Sequence, residues 1–156
     1  MKEYWIDGKG MSNMITYNYT PSMIAKSTFF YLQSMGHYKC SSEYYTKREG
    51  YRSYLLIYTL FGKGYARYRG KSYEINEGQV LLMDCYDYQE YWSDLEDFWH
   101  FKWIHFYGST STEYFNLIYD RIGPVIDLQG KNRLSECLDE IIEQVRNNDI
   151  QREVKI

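Results

Sequence analysis

Three histidines are the only imidazoles in the chain, so any histidine-based catalysis or metal binding would have to use them: His37, His100 and His105. Their spacing is not that of a metal site, because ligands on a barrel strand typically occur as His-x-His with a further acid or histidine nearby, and no such group is present. His100 and His105 lie five residues apart, so a regular strand points them to opposite faces. The sequence therefore predicts no tightly bound metal and no cofactor.

Carboxylates, glycines and cysteines give no clearer signal of catalysis. The acids Asp94, Glu96 and Asp97 fall in a polar turn, where solvated carboxylates are expected. The segment Gly62-Lys63-Gly64 is a hairpin turn, and no helix follows it to receive a phosphate. The cysteines are scattered without a Cys-x-x-Cys pair, so we expect small buried side chains rather than disulfides or a zinc site: Cys40, Cys85 and Cys137. We predict that the protein is not an enzyme.

The strongest constellation is aromatic, since Tyr, Phe and Trp make up 19% of the chain. In the segment 98–107, strand alternation places Trp99, Phe101, Trp103 and His105 on one face, and Phe98, His100, Lys102, Ile104 and Phe106 on the other. Gln89 and Tyr91 share a face of the preceding strand. If these faces meet inside a barrel, the wall suits a small organic ligand that stacks on apolar rings and is oriented by a few polar groups. The alternative is that the rings simply fill the core.

The elements that must position these side chains form a meander of short strands separated by turn signals. The predicted strands cover residues 54–61, 65–69, 72–75, 79–83, 88–92 and 98–107, with further candidates at 15–19 and 27–32. After Gly108 the periodicity becomes helical, from Ser111 to the stop at Gly123-Pro124. A short extended segment at 125–128 and an amphipathic helix from Leu134 to about Asn147 follow. This pattern indicates a β-sandwich or barrel with helices at its C-terminal end.

Length and charge exclude several classes of protein. The 156 residues, 44% of them hydrophobic, suit one globular domain. The formal net charge of -3 does not suit a chain that binds DNA by itself, because such binding depends on clustered Lys and Arg. The longest apolar stretch, 54–61, is too short to span a bilayer, and the first residues contain no signal-peptide core. We therefore predict a cytoplasmic protein.

Four segments carry a family resemblance: Tyr54-Leu-Leu-Ile-Tyr-Thr-Leu-Phe-Gly-Lys-Gly64, Tyr68-Arg-Gly-Lys-Ser-Tyr73, Glu77-Gly78-Gln-Val-Leu-Leu82 and Trp99-x-x-x-Trp103-Ile-His-Phe106. In order and spacing they resemble the N-terminal ligand-sensing domain of AraC-type transcriptional regulators. The resemblance implies a mainly β, cupin-like double-stranded β-barrel of the jelly-roll type followed by two C-terminal α-helices. It also implies that the barrel binds a small effector, such as a sugar, and that the chain forms a homodimer.

The resemblance also implies a division of the chain. Residues 1–25 would be an N-terminal arm that closes over the effector, and 26–108 the effector-binding barrel. Residues 109–150 would be the dimerisation helices and 151–156 the start of a linker. DNA would be bound by a helix-turn-helix domain absent from this chain, which is either an excised sensor domain or a natural stand-alone relative. Two other classes stay open: a cupin enzyme (isomerase or dioxygenase) and a carbohydrate-binding module.

The resemblance further implies a set of effector contacts: Lys47, Arg48, Gln89, Tyr91, Phe101 and Trp103. Tyr91 matches a pocket tyrosine and Trp103 a stacking tryptophan, whereas Gln89 stands where many members have histidine. Lys47 stands where an arginine commonly precedes the first meander strand, and Arg48 takes that place if the register shifts by one residue. These departures change the charge and hydrogen-bond geometry expected for the ligand.

An apolar stripe along the last helix is the predicted dimer contact: Leu134, Leu138, Ile141 and Val145. Their spacings of four, three and four residues keep one continuous face. The alternative is that this stripe packs only against the chain's own barrel.

Overall fold

The computed structural model of the protein describes residues 4–5, 11–129 and 132–147. Eleven strands lie in this part of the chain: β1 (Tyr4–Trp5), β2 (Met11–Asn18), β3 (Tyr31–Cys40), β4 (Tyr45–Arg48), β5 (Tyr54–Phe61), β6 (Gly64–Tyr68), β7 (Lys71–Ile75), β8 (Gln79–Asp84), β9 (Gln89–Ser93), β10 (His100–Tyr107) and β11 (Val125–Asp127). Three helices accompany them: α1 (Met23–Thr28), α2 (Ser111–Ile122) and α3 (Leu134–Arg146). The predicted meander and both C-terminal helices are confirmed to within two residues at nearly every boundary.

The strands form two antiparallel sheets. The larger has seven strands in the order β1-β2-β3-β10-β5-β8-β11, and the smaller has four in the order β4-β9-β6-β7. One core cluster contains residues of both sheets, such as Ile57 and Phe101 from the larger and Ala66 and Tyr91 from the smaller. The sheets therefore face each other across a shared interior, and the predicted cupin-like jelly-roll barrel is confirmed.

Two glycines within strands lie directly against tryptophan rings. A Cβ atom on Gly64 would overlap the ring of Trp99, and a Cβ atom on Gly36 would lie 2.6 Å from Nε1 of Trp103. Only a residue without a side chain allows these indoles to approach the neighbouring backbone so closely. The two glycines thus set the depth at which Trp99 and Trp103 sit in the barrel.

The strand predicted at residues 27–32 is wrong. Helix α1 covers Met23–Thr28, and β3 begins only at Tyr31. The hydroxyl of Ser22 accepts a hydrogen bond from the backbone N–H of Ala25 at 3.1 Å and caps this helix. An N-cap of this kind satisfies a donor that would otherwise have no partner, which favours the helix over the extended chain that the following aromatic residues suggested.

The segment 1–25, expected to be a separate arm, includes a strand of the main sheet. Strand β2 pairs with β3 from Met11↔Cys40 to Asn18↔Ser34. Residues 11–18 therefore belong to the barrel wall.

Helix α3 packs on the outer face of the seven-stranded sheet. Leu138 and Val145 are buried, and they share a second core cluster with Tyr17, Met35 and Ile104 of β2, β3 and β10. Leu134 and Ile141 are partly buried against the same cluster. The stripe predicted as a dimer contact therefore lies against the chain's own barrel, because a sheet with an apolar outer face must be covered by another layer.

Candidate functional site

A cavity of about 480 Å³ opens between the two sheets. This volume is within the range of roughly 300–1,000 Å³ that is typical of small-molecule sites. Strands of both sheets and the β4–β5 loop line it: Met14, Thr16, Asn18, Ser34, Tyr38, Tyr44, Thr46, Arg48, Tyr51, Leu55, Ile57, Tyr91, Phe101, Trp103 and His105. The cavity lies against the face of β10 that carries Phe101, Trp103 and His105.

Aromatic side chains form a continuous wall around this cavity. The ring of Tyr38 lies 5.3 Å from that of Trp103 and 5.6 Å from that of Phe101, measured between centroids. Tyr44 joins the same wall, with its ring 5.8 Å from Phe101 and 6.3 Å from Tyr91. Burial raises the pKa of Tyr91 to about 12. These phenols are therefore neutral at physiological pH and offer a stacking face together with a hydroxyl group.

A hydrogen-bonded chain of three polar side chains crosses one end of the cavity. Nη1 of Arg48 lies 2.8 Å from Nε2 of His105, and Nδ1 of His105 lies 2.9 Å from Oγ of Ser53. A guanidinium group can only donate, so Nε2 of His105 accepts and the neutral ring carries its proton on Nδ1. Oγ of Ser53 then accepts the hydrogen bond from this Nδ1–H and donates its own to the backbone carbonyl of Tyr54, at 3.3 Å.

His105 is held in its neutral form by this arrangement. Burial, followed by the positive charge of Arg48, lowers the pKa of His105 to about 3. The edges of two aromatic rings also enclose the imidazole, with centroids at 5.3 Å for Tyr51 and 5.5 Å for Trp103. His105 therefore supplies a fixed hydrogen-bond acceptor to Arg48 and no charge of its own.

The six predicted effector contacts divide into two groups. Arg48, Tyr91, Phe101 and Trp103 line the cavity. Lys47 is exposed on the opposite face of β4, with its ammonium group 5.4 Å from the ring centroid of Tyr88. The reason is strand alternation, because Lys47 pairs with Glu90 and Arg48 with Gln89, so neighbouring residues point to opposite sides.

Gln89 points inward but lies outside the cavity lining. It is completely buried, and its Oε1 accepts a weak hydrogen bond from the thiol of Cys85 at 3.6 Å. Its Nε2 has no hydrogen-bond partner among the described residues. Gln89 thus forms part of the layer behind the cavity wall.

Tyr38 and Tyr44 of the lining were not singled out from the sequence, and His105 was placed on the face of its strand shared with Trp103 but was not predicted as an effector contact. The signal that could have found them is alternation along the neighbouring strands, because Ser34 and Tyr38 repeat with an even spacing on β3 and Tyr44, Thr46 and Arg48 do so around β4. That signal could be used only once the pairing of β3 with β10 was known.

The other two histidines meet on the opposite face of the seven-stranded sheet. Nε2 of His37 lies 2.5 Å from Nε2 of His100, and the ring planes differ by only 9°. The ring centroids lie 4.8 Å apart, which is the nitrogen–nitrogen distance plus the distance from each nitrogen to the centre of its own ring. The two nitrogens therefore lie on the line between the centroids, and the rings meet end to end rather than stack. Within residues 4–5, 11–129 and 132–147, no three His, Cys, Asp or Glu side chains converge as a metal site would require.

Comparison with solved structures finds chains of similar fold at low sequence identity. The chain is similar to YhaK from Escherichia coli, with 12% identity and a TM-score of 0.51 over 63% of this chain and 46% of that one. It is also similar to the cupin_2 domain of an XRE family transcriptional regulator from Enterobacter cloacae, with 11% identity and a TM-score of 0.47 over 60% of this chain and 96% of that one. The chain thus spans about half the length of YhaK, and at this identity the similarity shows the fold alone.

Residues 31–155 match the family model of the AraC-like ligand binding domain, so the chain belongs to that family. The resemblance seen in the four sequence segments is confirmed. A comparison with curated proteins finds no match. None of the helices in the described ranges is long and apolar enough to cross a membrane.

Proposed function

We propose that this chain is the effector-sensing domain of a transcriptional regulator and that its effector is a small organic molecule bound in the cavity between the sheets. The observation that carries this proposal is the cavity itself, because a barrel that needed only a core would fill this space with side chains. Instead the interior keeps about 480 Å³ open, lined by aromatic faces and a few polar groups. Membership in the ligand-binding family supports the same function.

Strand β2 offers a physical route by which binding could be reported. Its residues Met14 and Thr16 line the cavity, while Ile15 and Tyr17 belong to the cluster beneath helix α3. A ligand that shifts or orders β2 on its cavity side also changes the packing of α3 on the other side. Because β2 contacts both the cavity and the cluster beneath α3, ligand binding and α3 packing can each shift the balance between the conformations of β2.

We propose that the cavity binds its ligand without catalysing a reaction. Ser53 and His105 resemble a nucleophile and its base, but Ser53 is buried and is not part of the cavity lining. Nε2 of His105 is already hydrogen-bonded to Arg48. A nucleophile must be open to its substrate, and here both groups are engaged in holding Arg48.

Three further proposals come from the family rather than from the site. DNA would be bound by a separate helix-turn-helix domain, the chain would act in the cytoplasm, and it would form a homodimer. Leu138 and Val145 are buried within the chain and so are not open to a partner. A dimer would therefore use other surfaces, and sedimentation at high micromolar concentration tests whether one forms.

The cavity is tested by a thermal-shift screen of small metabolites, sugars included, against the protein and a variant whose cavity is filled. A ligand that binds only the folded protein raises its melting temperature by mass action. Ser34→Phe places a ring in the cavity, and Ser72→Phe, on the exposed strand β7, is the matched control. We expect hits that stabilise the wild type and Ser72→Phe but not Ser34→Phe. Equal stabilisation of all three proteins would contradict an internal site.

A further inference from the structure

We propose that the cavity selects an organic monoanion, a carboxylate on an aromatic or aliphatic body, and that Arg48 binds the carboxylate group. This inference rests on the proposed function, because it names the class of ligand that the same cavity takes. A neutral sugar, which the family resemblance suggested, is the competing class.

The first observation is charge. Arg48 lines the cavity, and among the fifteen lining residues there is no Asp and no Glu. Two acids near β4 in the fold are engaged elsewhere: Glu90 of β9 pairs with Arg67 on the outer face, and Asp87 in the β8–β9 loop pairs with Arg69. Within the described residues no carboxylate forms an ion pair with Arg48, so the cavity carries an uncompensated positive charge.

The second observation is how firmly the guanidinium group is held. It is half-buried, it donates to Nε2 of His105 at 2.8 Å, and it lies over the ring of Tyr51, 5.1 Å from the centroid. His105 is in turn fixed by Ser53 at 2.9 Å. A guanidinium group carries five N–H donors, and the bond to His105 uses one of them. The side chain is thus oriented before any ligand arrives, which reduces the entropy lost on binding.

The described partners of Arg48 include no acid, and this favours an anionic ligand over other classes. His105 is held neutral, and burial raises the pKa of the Tyr38, Tyr44 and Tyr91 hydroxyls so that they keep their protons. Nothing in the described lining therefore balances the guanidinium charge. A carboxylate balances it and can accept two parallel N–H bonds. A cationic ligand would be repelled, and the hydroxyls of a neutral sugar would leave the charge unbalanced.

The remaining surface of the cavity suits an apolar body attached to that carboxylate. Tyr38, Phe101 and Trp103 offer ring faces, and Leu55 and Ile57 offer aliphatic surface from β5. Flat or aliphatic groups bury well against such surfaces.

The test is a set of matched acids and amides measured by titration calorimetry. Phenylacetate, phenylpropionate and octanoate are each compared with the corresponding primary amide, and neutral pentoses and hexoses are included. Acid and amide have nearly the same shape, so a difference in affinity isolates the charge. We expect the acids to bind roughly 10- to 100-fold more tightly than their amides, the range expected for a hydrogen bond to a charged group.

Three variants locate that preference. Arg48→Gln should remove it, whereas Arg48→Lys should retain part of it, because it keeps the charge without the planar fork. Lys47→Gln is the matched control: it removes the same charge from the next residue, whose side chain is exposed on the other face of β4. Circular dichroism confirms that each variant is folded.

Three results would each overturn the inference. They are equal affinity for acid and amide, no binding by any acid, and an acid preference that survives in Arg48→Gln. If a sugar or amide binds the wild type as tightly as any acid but does not bind Ser34→Phe, the result supports the proposed function and contradicts the anion preference. Binding of any class that Ser34→Phe does not affect would contradict the proposed function itself.

Discussion

Arg48 and His105 meet across the boundary between the two sheets, with Nη1 of the arginine 2.8 Å from Nε2 of the histidine. Arg48 is the last residue of β4 in the four-stranded sheet, whereas His105 lies in β10 near the centre of the seven-stranded sheet. The contact therefore joins the two halves of the barrel at the cavity. It also determines the tautomer of His105 and the direction in which the guanidinium group points.

The first prediction concerns the stability that this contact provides. His105→Phe keeps a ring of similar size but leaves the guanidinium group of Arg48 and the hydroxyl of Ser53 without their shared partner. We expect a loss of about 1–3 kcal/mol in the free energy of unfolding, the cost of leaving buried polar groups unsatisfied. Urea denaturation measures it. His100→Phe, at a less buried site, is the control and should cost less; an equal loss in both variants would contradict the assigned role.

The second prediction is the dependence of stability on pH. All three histidines have a lowered pKa: that of His105 is about 3, because of burial and then Arg48. Burial and then His37 lower the pKa of His100 to about 4, and burial also lowers that of His37. The unfolded chain, with an ordinary histidine pKa of 6.5, binds protons that the folded chain does not. Stability is therefore complete above about pH 6.5 and is lost as the pH falls toward these lower values.

Urea denaturation across this pH range measures the effect. The slope should approach about 1.4 kcal/mol per pH unit for each histidine that titrates only in the unfolded chain. His105→Phe should have a shallower slope than the wild type. A free energy of unfolding that stays constant from pH 7 down to pH 5 would show that these histidines are not buried in neutral form.

The third prediction separates core packing from dimerisation at helix α3. Leu138→Ala should destabilise the protein by roughly 2–5 kcal/mol, as expected for a buried leucine. Cys137→Ala, at the neighbouring exposed position, should change the stability by less than about 0.5 kcal/mol. Urea denaturation at several protein concentrations makes the distinction. A loss that depends on protein concentration would place Leu138 in a subunit interface instead.

The fourth prediction concerns the cysteines. Cys40 and Cys85 are buried and Cys137 is exposed. Burial raises the pKa of Cys85 to about 11 and raises that of Cys40 further still. Since the thiolate is the reactive form, a disulfide reagent should modify Cys137 quickly and the other two only after denaturation. Fast reaction of two or three thiols in the folded protein, counted by mass spectrometry, would contradict this burial.

The sequence predicted the site best where one strand carried the information. Alternation along 98–107 placed Phe101 and Trp103 on the correct face, because a strand has a period of two whatever it pairs with. The choice between Lys47 and Arg48 was different. It depends on the pairing of Arg48 with Gln89, which involves residues far apart in the chain and is fixed only by tertiary structure.

Helix α3 shows a second limit of prediction from sequence. Its apolar stripe correctly predicts that one face is buried, but the pattern does not specify what covers that face. The structure covers Leu138 and Val145 with residues of β2, β3 and β10, which are more than 30 residues away in sequence. The helix α1 was missed for a related reason, since the local β propensity of the residues after it outweighed one capping serine.

The most direct test of an internal effector site is the response of the tryptophan indole N–H signals to a stabilising ligand. The chain has four tryptophans, whose signals in a ¹H–¹⁵N correlation spectrum can be assigned with single Trp→Phe variants. Trp103 lines the cavity, and its Nε1 has no hydrogen-bond partner among the described residues. Nε1 of Trp99 donates to Oγ1 of Thr59 at 2.9 Å, outside the lining, and Trp92 lies on a separate outer groove.

Titration with a compound that raises the melting temperature should shift the Trp103 signal saturably, with much smaller changes at Trp99 and Trp92. The same compound should shift nothing in Ser34→Phe. A stabilising compound that moves the Trp92 signal and leaves Trp103 unchanged would place the binding site on the outer surface and contradict the internal site.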